Sequence, residues 1–272
     1  MSGIEQDIAP SSRVVDRTAR RLSMPSVTSE DSYLSVTSLT LVGVPVRRAN
    51  GTNEPAWPRD FSTSKPLWLD LSMDVQEQFG QIDIYVFDQI LRGNIARGMR
   101  VLDAGCGYGR NLVHLLREGC EIFALDASSE AVEHVRSLSA SLETGLPAEN
   151  FQVGPIEQIP FPESFVDVVI CNSVLHFAQD EDHFKKMLSE MWRVLRPGGM
   201  LFCRLGSRIG MDFEPAGGNR YVIGDGSVWF LVDEKMLLER TAEMNAILVD
   251  PLKTTIVQDY RCMTTWVLRK RR

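Results

Sequence analysis

The sequence is short of the residues that build metal centres and disulfide frameworks, with five cysteines and four histidines in 272 residues. No two cysteines stand at C-x-x-C spacing. Cys106, Cys120, Cys171, Cys203 and Cys262 are scattered, odd in number and mostly set in apolar runs, the pattern of reduced core thiols. No histidine cluster offers zinc-ligand spacing, so no metal is expected. No apolar run approaches the roughly 18 residues that cross a bilayer, which argues against membrane insertion. Arg20-Arg21 is not followed by the apolar segment of an export signal, and the cytoplasm is the expected compartment. Positive charge is also scarce: 29 Lys and Arg stand against 36 Asp and Glu, a net charge of -7. Residues 1–70 balance at 8 basic to 8 acidic, so the whole excess lies beyond them. A nucleic-acid partner would want the opposite sign over its footprint, which argues against one. What the chain does have is 44% hydrophobic content, enough for one full α/β core.

Residues 1–72 are rich in Ser, Thr, Arg and Pro and hold one short apolar patch, Leu39 to Val46. They read as a disordered or loosely attached extension. Met73 stands just before the first strongly periodic segment and marks the expected start of the folded domain, 73–272. Between Met73 and Ile95, Phe79, Ile82, Tyr85, Val86 and Ile90 share a helical face, which predicts one helix flanking whatever follows. Strands and helices then alternate. Strands are expected at Met99–Leu102, Glu121–Asp126, Phe151–Val153, Val166–Cys171 and Met200–Leu205, with helices at Ser129–Leu142 and Asp180–Leu195. Arg196-Pro-Gly-Gly199 breaks the last helix. Repeated βα units imply a parallel sheet covered on both faces, with ligands beyond the carboxyl ends of its strands. The segment Gly206 to Gly226 shows no periodicity. A helix from Asp233 and strands at Ala246–Val249 and Met263–Leu268 complete the chain.

Everything is arranged around Val101-Leu-Asp-Ala-Gly-Cys-Gly-Tyr-Gly-Arg110. Gly105, Gly107 and Gly109 remove each Cβ where the chain must turn, so a ligand can approach the main chain, and helical spacing of Leu112, Leu115 and Leu116 follows. The expectation is that bared amides and a positive helix start cradle an anion or cofactor. A dinucleotide fingerprint needs a third glycine where this chain has Arg110. The form Asp103-x-Gly105-x-Gly107-x-Gly109 instead resembles motif I of the class I S-adenosylmethionine-dependent methyltransferases. The likeness runs from residue 99 to about 205. Asp126 looks like the family's acid at the end of the second strand. Ile159-Pro-Phe-Pro-Glu-Ser-Phe-Val-Asp167, Asn172-Ser-Val-Leu-His176 and Leu195-Arg-Pro-Gly-Gly199 are similar to its later segments.

The resemblance implies a Rossmann-like, doubly wound, mostly parallel seven-stranded α/β sheet with helices on both faces and its last strand antiparallel. It implies S-adenosyl-L-methionine as cofactor, bound by Asp103, Gly105, Cys106, Gly107, Gly109, Asp126, Ala127, Ile156, Glu157 and Asn172. Asp126 would hold the ribose hydroxyls, since a carboxylate suits a vicinal diol. Many relatives carry Asp where this chain has Pro155, so Glu157 or a backbone carbonyl must take the adenine amino group. Methyl transfer is an in-line displacement that needs orientation and exclusion of water, and a base only where the acceptor must lose a proton. His176, just beyond the fourth strand, is the candidate base. Tyr85, Arg204, Arg208 and Arg220 are the candidate acceptor contacts, a guanidinium suiting a carboxylate or oxyanion. No segment offers a recognition domain for a macromolecule, so a small-molecule acceptor is expected, and within the family the chain most resembles the tellurite-resistance and thiopurine-methylating enzymes. Two alternatives stay open here: a non-catalytic S-adenosylmethionine-binding module, and a nicotinamide-dependent oxidoreductase. Oligomeric state and acceptor atom are not encoded in these motifs.

Overall fold

The computed structural model describes residues 75–272, so the extension read from residues 1–72 lies outside the described residues. The main sheet is built from β1 (Arg100–Ala104), β2 (Glu121–Asp126), β3 (Phe151–Val153), β4 (Val166–Asn172), β5 (Leu195–Gly206), β9 (Ala246–Leu248), β10 (Lys253–Val257) and β11 (Arg261–Lys270). Its order is β10-β11-β5-β4-β1-β2-β3, with β9 as an eighth strand on β11. β1 to β5 pair in parallel, and β11 runs antiparallel to β5. This is the expected mixed, mostly parallel sheet. Chain order reverses between β1 and β4, and in open sheets ligands bind in the crevice at such a point.

The strands read as nearly continuous apolar runs because both faces are buried. On one face Leu102, Leu125, Val169, Leu201 and Trp266 pack under Phe184, Met187, Leu188 and Met191 of α5 (Glu181–Val194) and Leu237 of α6 (Glu234–Glu243). On the other, Val101, Ile122, Val168, Ile170, Phe202 and Val267 pack under Val86, Leu115, Leu116, Val132 and Val135. Each such side chain contributes about 1.5–3 kcal/mol by leaving water. α5 begins where Asp180 accepts the His183 amide at 2.7 Å, a carboxylate cap on an exposed helix start.

Five expectations need correction. The helix expected over 73–95 is two helices, α1 (Val75–Phe79) and α2 (Ile84–Leu91). Asp83 between them has extended backbone and caps the Tyr85 amide at 2.9 Å, a local bond that outcompetes continuation of the helix. The helix after the glycine loop is only α3 (Val113–Arg117). The segment read as aperiodic folds as a separate antiparallel sheet of β6 (Glu214–Gly217), β7 (Arg220–Val222) and β8 (Val228–Phe230). β10 was not foreseen, and β5 starts at Leu195 rather than Met200, across a register shift between Val166 and Val168. The remaining helix, α4 (Ser129–Ser141), lies where its periodicity put it.

Candidate functional site

The strand ends at the β1/β4 switch point bring most of the expected residues together. Asp103 points into this crevice from β1, is 1% exposed, and neither of its carboxylate oxygens has a partner. Burial pushes its carboxyl up to about 7, and Asp126 adds to the rise while Arg110 opposes it. An unpaired buried carboxylate is costly unless a cation arrives.

The glycine loop turns directly after it. Gly105 has φ +79°, and a Cβ there would lie 2.4 Å from Val174 Cγ2, so neither conformation nor space admits a side chain. Gly107 has φ +50° but its Cβ would meet nothing within 4 Å. That emptiness is available to a ligand. The amides are not bare, however. Gly105 and Cys106 both donate to the Leu125 carbonyl, at 2.7 and 3.1 Å, and Gly109 donates to the Cys106 carbonyl at 3.0 Å. Gly107 donates to Asp126 Oδ2 at 2.8 Å. The expected cradle of free amides at a helix start is therefore corrected: the amides fix the loop to β2, and α3 begins only at Val113, too short and too late to contribute a helix terminus.

The bond from Gly107 joins the two halves of the expected cofactor site. Asp126 ends β2 with Oδ1 accepting the Ser128 amide at 2.9 Å and Oδ2 accepting Gly107. A carboxylate has about four acceptor positions, so a diol can still be held. Ala127 is exposed beside it and the Cys106 thiol is buried, its ionisation suppressed by burial and by Asp103 and Asp126. Asn172, at the end of β4, accepts from Arg110 Nη2 at 2.9 Å through Oδ1 and leaves Nδ2 unpartnered. Ile156 is buried in the α5-side core, whereas Glu157 is exposed with its carboxylate 3.4 Å from His183 Nε2.

Of the candidate acceptor residues, two converge. Arg204, two residues before the end of β5, lies 5.3 Å over the Tyr85 ring and 3.3 Å from Asp83 Oδ2. The Tyr85 hydroxyl is anchored to Thr255 Oγ1 at 2.7 Å. Arg220 belongs instead to the small sheet, and Arg208, in the segment between β5 and β6, lies against it. Arg208 is paired with Asp233 and lies 5.8 Å from the Tyr221 ring, and Arg220 is exposed on β7.

His176 is poorly suited to act as a base. It is 3% exposed and stacks on Trp229 with centroids 3.9 Å apart. Burial, with Arg261 assisting, lowers its pKa to about 4. The imidazole is neutral near pH 7, but as a proton acceptor it is far weaker than an ordinary histidine.

Two residues were missed. Arg110 was read only as a missing glycine, yet it spans Asn172 and, at 3.9 Å, Asp83. Asp83 was overlooked inside a presumed helix, although Asp ahead of Ile-Tyr-Val-Phe is a capping signal.

Residues 102–203 match the methyltransferase domain family. That segment is similar to the class I S-adenosylmethionine-dependent methyltransferases. The chain is 32% identical over 130 residues to a malonyl-[acyl-carrier protein] O-methyltransferase of Yersinia pestis, covering 46% of this chain and 45% of that protein. It is 29% identical over 178 residues to a probable S-adenosylmethionine-dependent methyltransferase of Mycobacterium tuberculosis, 62% of this chain and 58% of that one. The chain thus spans about half the length of these curated relatives. The fold is shared with the 1,6-didemethyltoxoflavin-N1-methyltransferase of Burkholderia thailandensis, at TM-score 0.55 and 20% identity over 73% of this chain and 82% of that one. In this methyltransferase fold, no helix among the described residues is long and apolar enough to cross a membrane.

Proposed function

We propose that this chain transfers a methyl group from S-adenosyl-L-methionine to a small-molecule acceptor by in-line displacement. The observation that carries the reading is Asp103, a fully buried carboxylate with both oxygens unpartnered behind a glycine loop that is tied to Asp126 through Gly107. The residues suit the cofactor: Asp103 takes its ammonium, Asp126 its vicinal diol, and the space over Gly107 its body. When bound, the cofactor supplies a methyl group on a positively charged sulfur that leaves as a neutral thioether. Asp103 and Asp126 fix the two ends of this molecule, which supplies the orientation such a displacement needs. Tyr85 of α2, its ring 5.3 Å from the Arg204 guanidinium, sets an aromatic face beside the crevice that limits water there. His176 serves as an aromatic wall with Trp229, and no proton passes through it.

We also infer that the folded domain starts near Met73, and five buried, unbridged thiols suit a reducing cytoplasm. The Yersinia relative's name supports an acceptor that is small or carried on a protein arm, and the acidic balance of the chain gives no support to nucleic acid.

The test is binding and turnover of Asp126→Asn. The wild type is expected to bind S-adenosylhomocysteine, and the variant at least about tenfold more weakly because one charged acceptor of the diol is lost. Equal affinity, or no binding by the wild type, would remove the reading. One relative in fold, a [4+2]-cyclase at TM-score 0.54, shows that this architecture is not confined to methyl transfer. Radiolabelled transfer into a metabolite extract therefore has to accompany binding: cofactor affinity without transfer would favour a non-catalytic module.

A further inference from the structure

On the sheet face covered by α2, three cross-strand neighbours form one row: Asn172 on β4, Arg204 on β5 and Thr265 on β11. Register partners project to the same side of a sheet. Each carries a buried polar atom with no partner, namely Asn172 Nδ2, Arg204 Nε and Thr265 Oγ1. Leaving a buried polar group unpaired costs about 1–3 kcal/mol, and here the cost is repeated along one line. Folding gains nothing from it. All three atoms can donate, and a carboxylate, which only accepts, answers all three.

The row is held in place by its surroundings. Asp83 engages Nη1 of Arg204 at 3.3 Å and leaves the Nε edge unused. The Tyr85 ring lies against the guanidinium, and Tyr85 is anchored through Thr255. The next member of the row, Lys253, is neutralised by Asp88 at 3.3 Å and Asp250 at 3.6 Å. Arg204 and Arg110, at 3.3 and 3.9 Å, share the one carboxylate of Asp83, which leaves a single positive charge in excess beside the row; with the neutral donors this suits one negative charge rather than a phosphate dianion.

We propose that this row is the acceptor's binding point and that the acceptor is a carboxylic acid, held through its carboxylate by Arg204, Thr265 and Asn172. The word acceptor rests on the methyltransferase reading, but the carboxylate preference rests on the row itself. Arg204 and Thr265 are then the specificity-determining residues, with Tyr85 positioning the guanidinium.

The experiment is a saturation-transfer NMR titration with acetic, malonic, octanoic and benzoic acids and their primary amides, run with and without saturating S-adenosylhomocysteine. At least one acid is expected to bind tenfold or more tightly than its amide. Arg204→Gln and Thr265→Val should each reduce that preference at least fivefold while changing S-adenosylhomocysteine affinity less than threefold. Thr265→Val replaces an unpartnered hydroxyl with a methyl group, so its melting temperature should not fall, and lost selectivity cannot then be attributed to misfolding. Acids and amides binding alike, no acid binding, or selectivity unchanged in both variants would each overturn the proposal. Absence of S-adenosylhomocysteine binding would overturn the methyltransferase reading instead, and the acid-to-amide ratio of the free chain would still decide the row.

Discussion

Replacing Asp103 with Asn separates what that carboxylate does for binding from what it costs the fold. Its carboxyl is raised from 3.8 to about 7, chiefly by burial. Between those two values the native chain holds a proton that the unfolded chain has lost, so this group's contribution to stability is intact below pH 3.8 and is lost as pH rises through 7. At about 1.4 kcal/mol per pH unit the loss reaches about 4 kcal/mol. His176 works in the other direction: its pKa is lowered from 6.5 to about 4, so its contribution is present above 6.5 and declines as pH falls through 4. In the unliganded wild type the two slopes oppose one another over most of that interval, and the stability curve there should be nearly level. The difference between Asp103→Asn and wild type isolates the carboxylate. In urea unfolding across pH 4 to 8.5 it should grow from its acid value by about 4 kcal/mol in favour of the variant and level off above pH 7. S-adenosylhomocysteine should bind the wild type with release of part of a proton at pH 6.5, read by calorimetry in buffers of different ionisation enthalpy, and bind the variant far more weakly with no release. Parallel stability curves would refute the claim that Asp103 is a desolvated, unpaired acid.

The glycine loop gives a paired expectation. Gly105→Ala must push against Val174 and hold φ +79°, costing about 1–3 kcal/mol. Gly107→Ala meets no atom and should cost about 1–2 kcal/mol through its backbone alone, yet both should abolish S-adenosylhomocysteine binding. Retained binding in Gly107→Ala would show that the open space there is not the ligand's. His176→Phe keeps an aromatic ring against Trp229, and the pH dependence of transfer between pH 6 and 9 should be unchanged. Loss of a titrating limb would restore the histidine as a base. Asp250 accepts from Gln89 at 3.1 Å and Arg92 at 2.6 Å, tying α2 to the strand that follows. Asp250→Ala should cost about 1 kcal/mol, since Asp88 still accepts from both Gln89 and Arg92. Hydrogen exchange should show α2 amides losing protection before those of β4.

The sequence was legible wherever burial on both faces forced a continuous apolar run. Val166–Asn172 could hardly be anything but a central strand, and the periodicity of α4 and α5 located each to within a residue or two. The glycine motif and Asp126 were readable because backbone conformation and chemistry restrict the residue types there. Short, exposed elements were not: Glu214–Gly217 has no buried residue, so hydrophobic pattern has nothing to report. The break at Asp83 was hidden because its capping bond competes locally with a helical pattern that is otherwise satisfactory.

By itself, then, the sequence determined the class of sheet, the switch-point crevice and the acids near the ends of β1 and β2, since these follow from local periodicity and from residue types that few others can replace. Tertiary structure alone decided that the loop's amides are spent on Leu125 and Asp126, that His176 lies sealed against Trp229, and that Arg204 rather than Arg208 or Arg220 faces the crevice. Those facts depend on which strands become neighbours and on which atoms lose water when they do. Residues 93 positions apart, Asn172 and Thr265, flank Arg204 only because β4, β5 and β11 lie side by side.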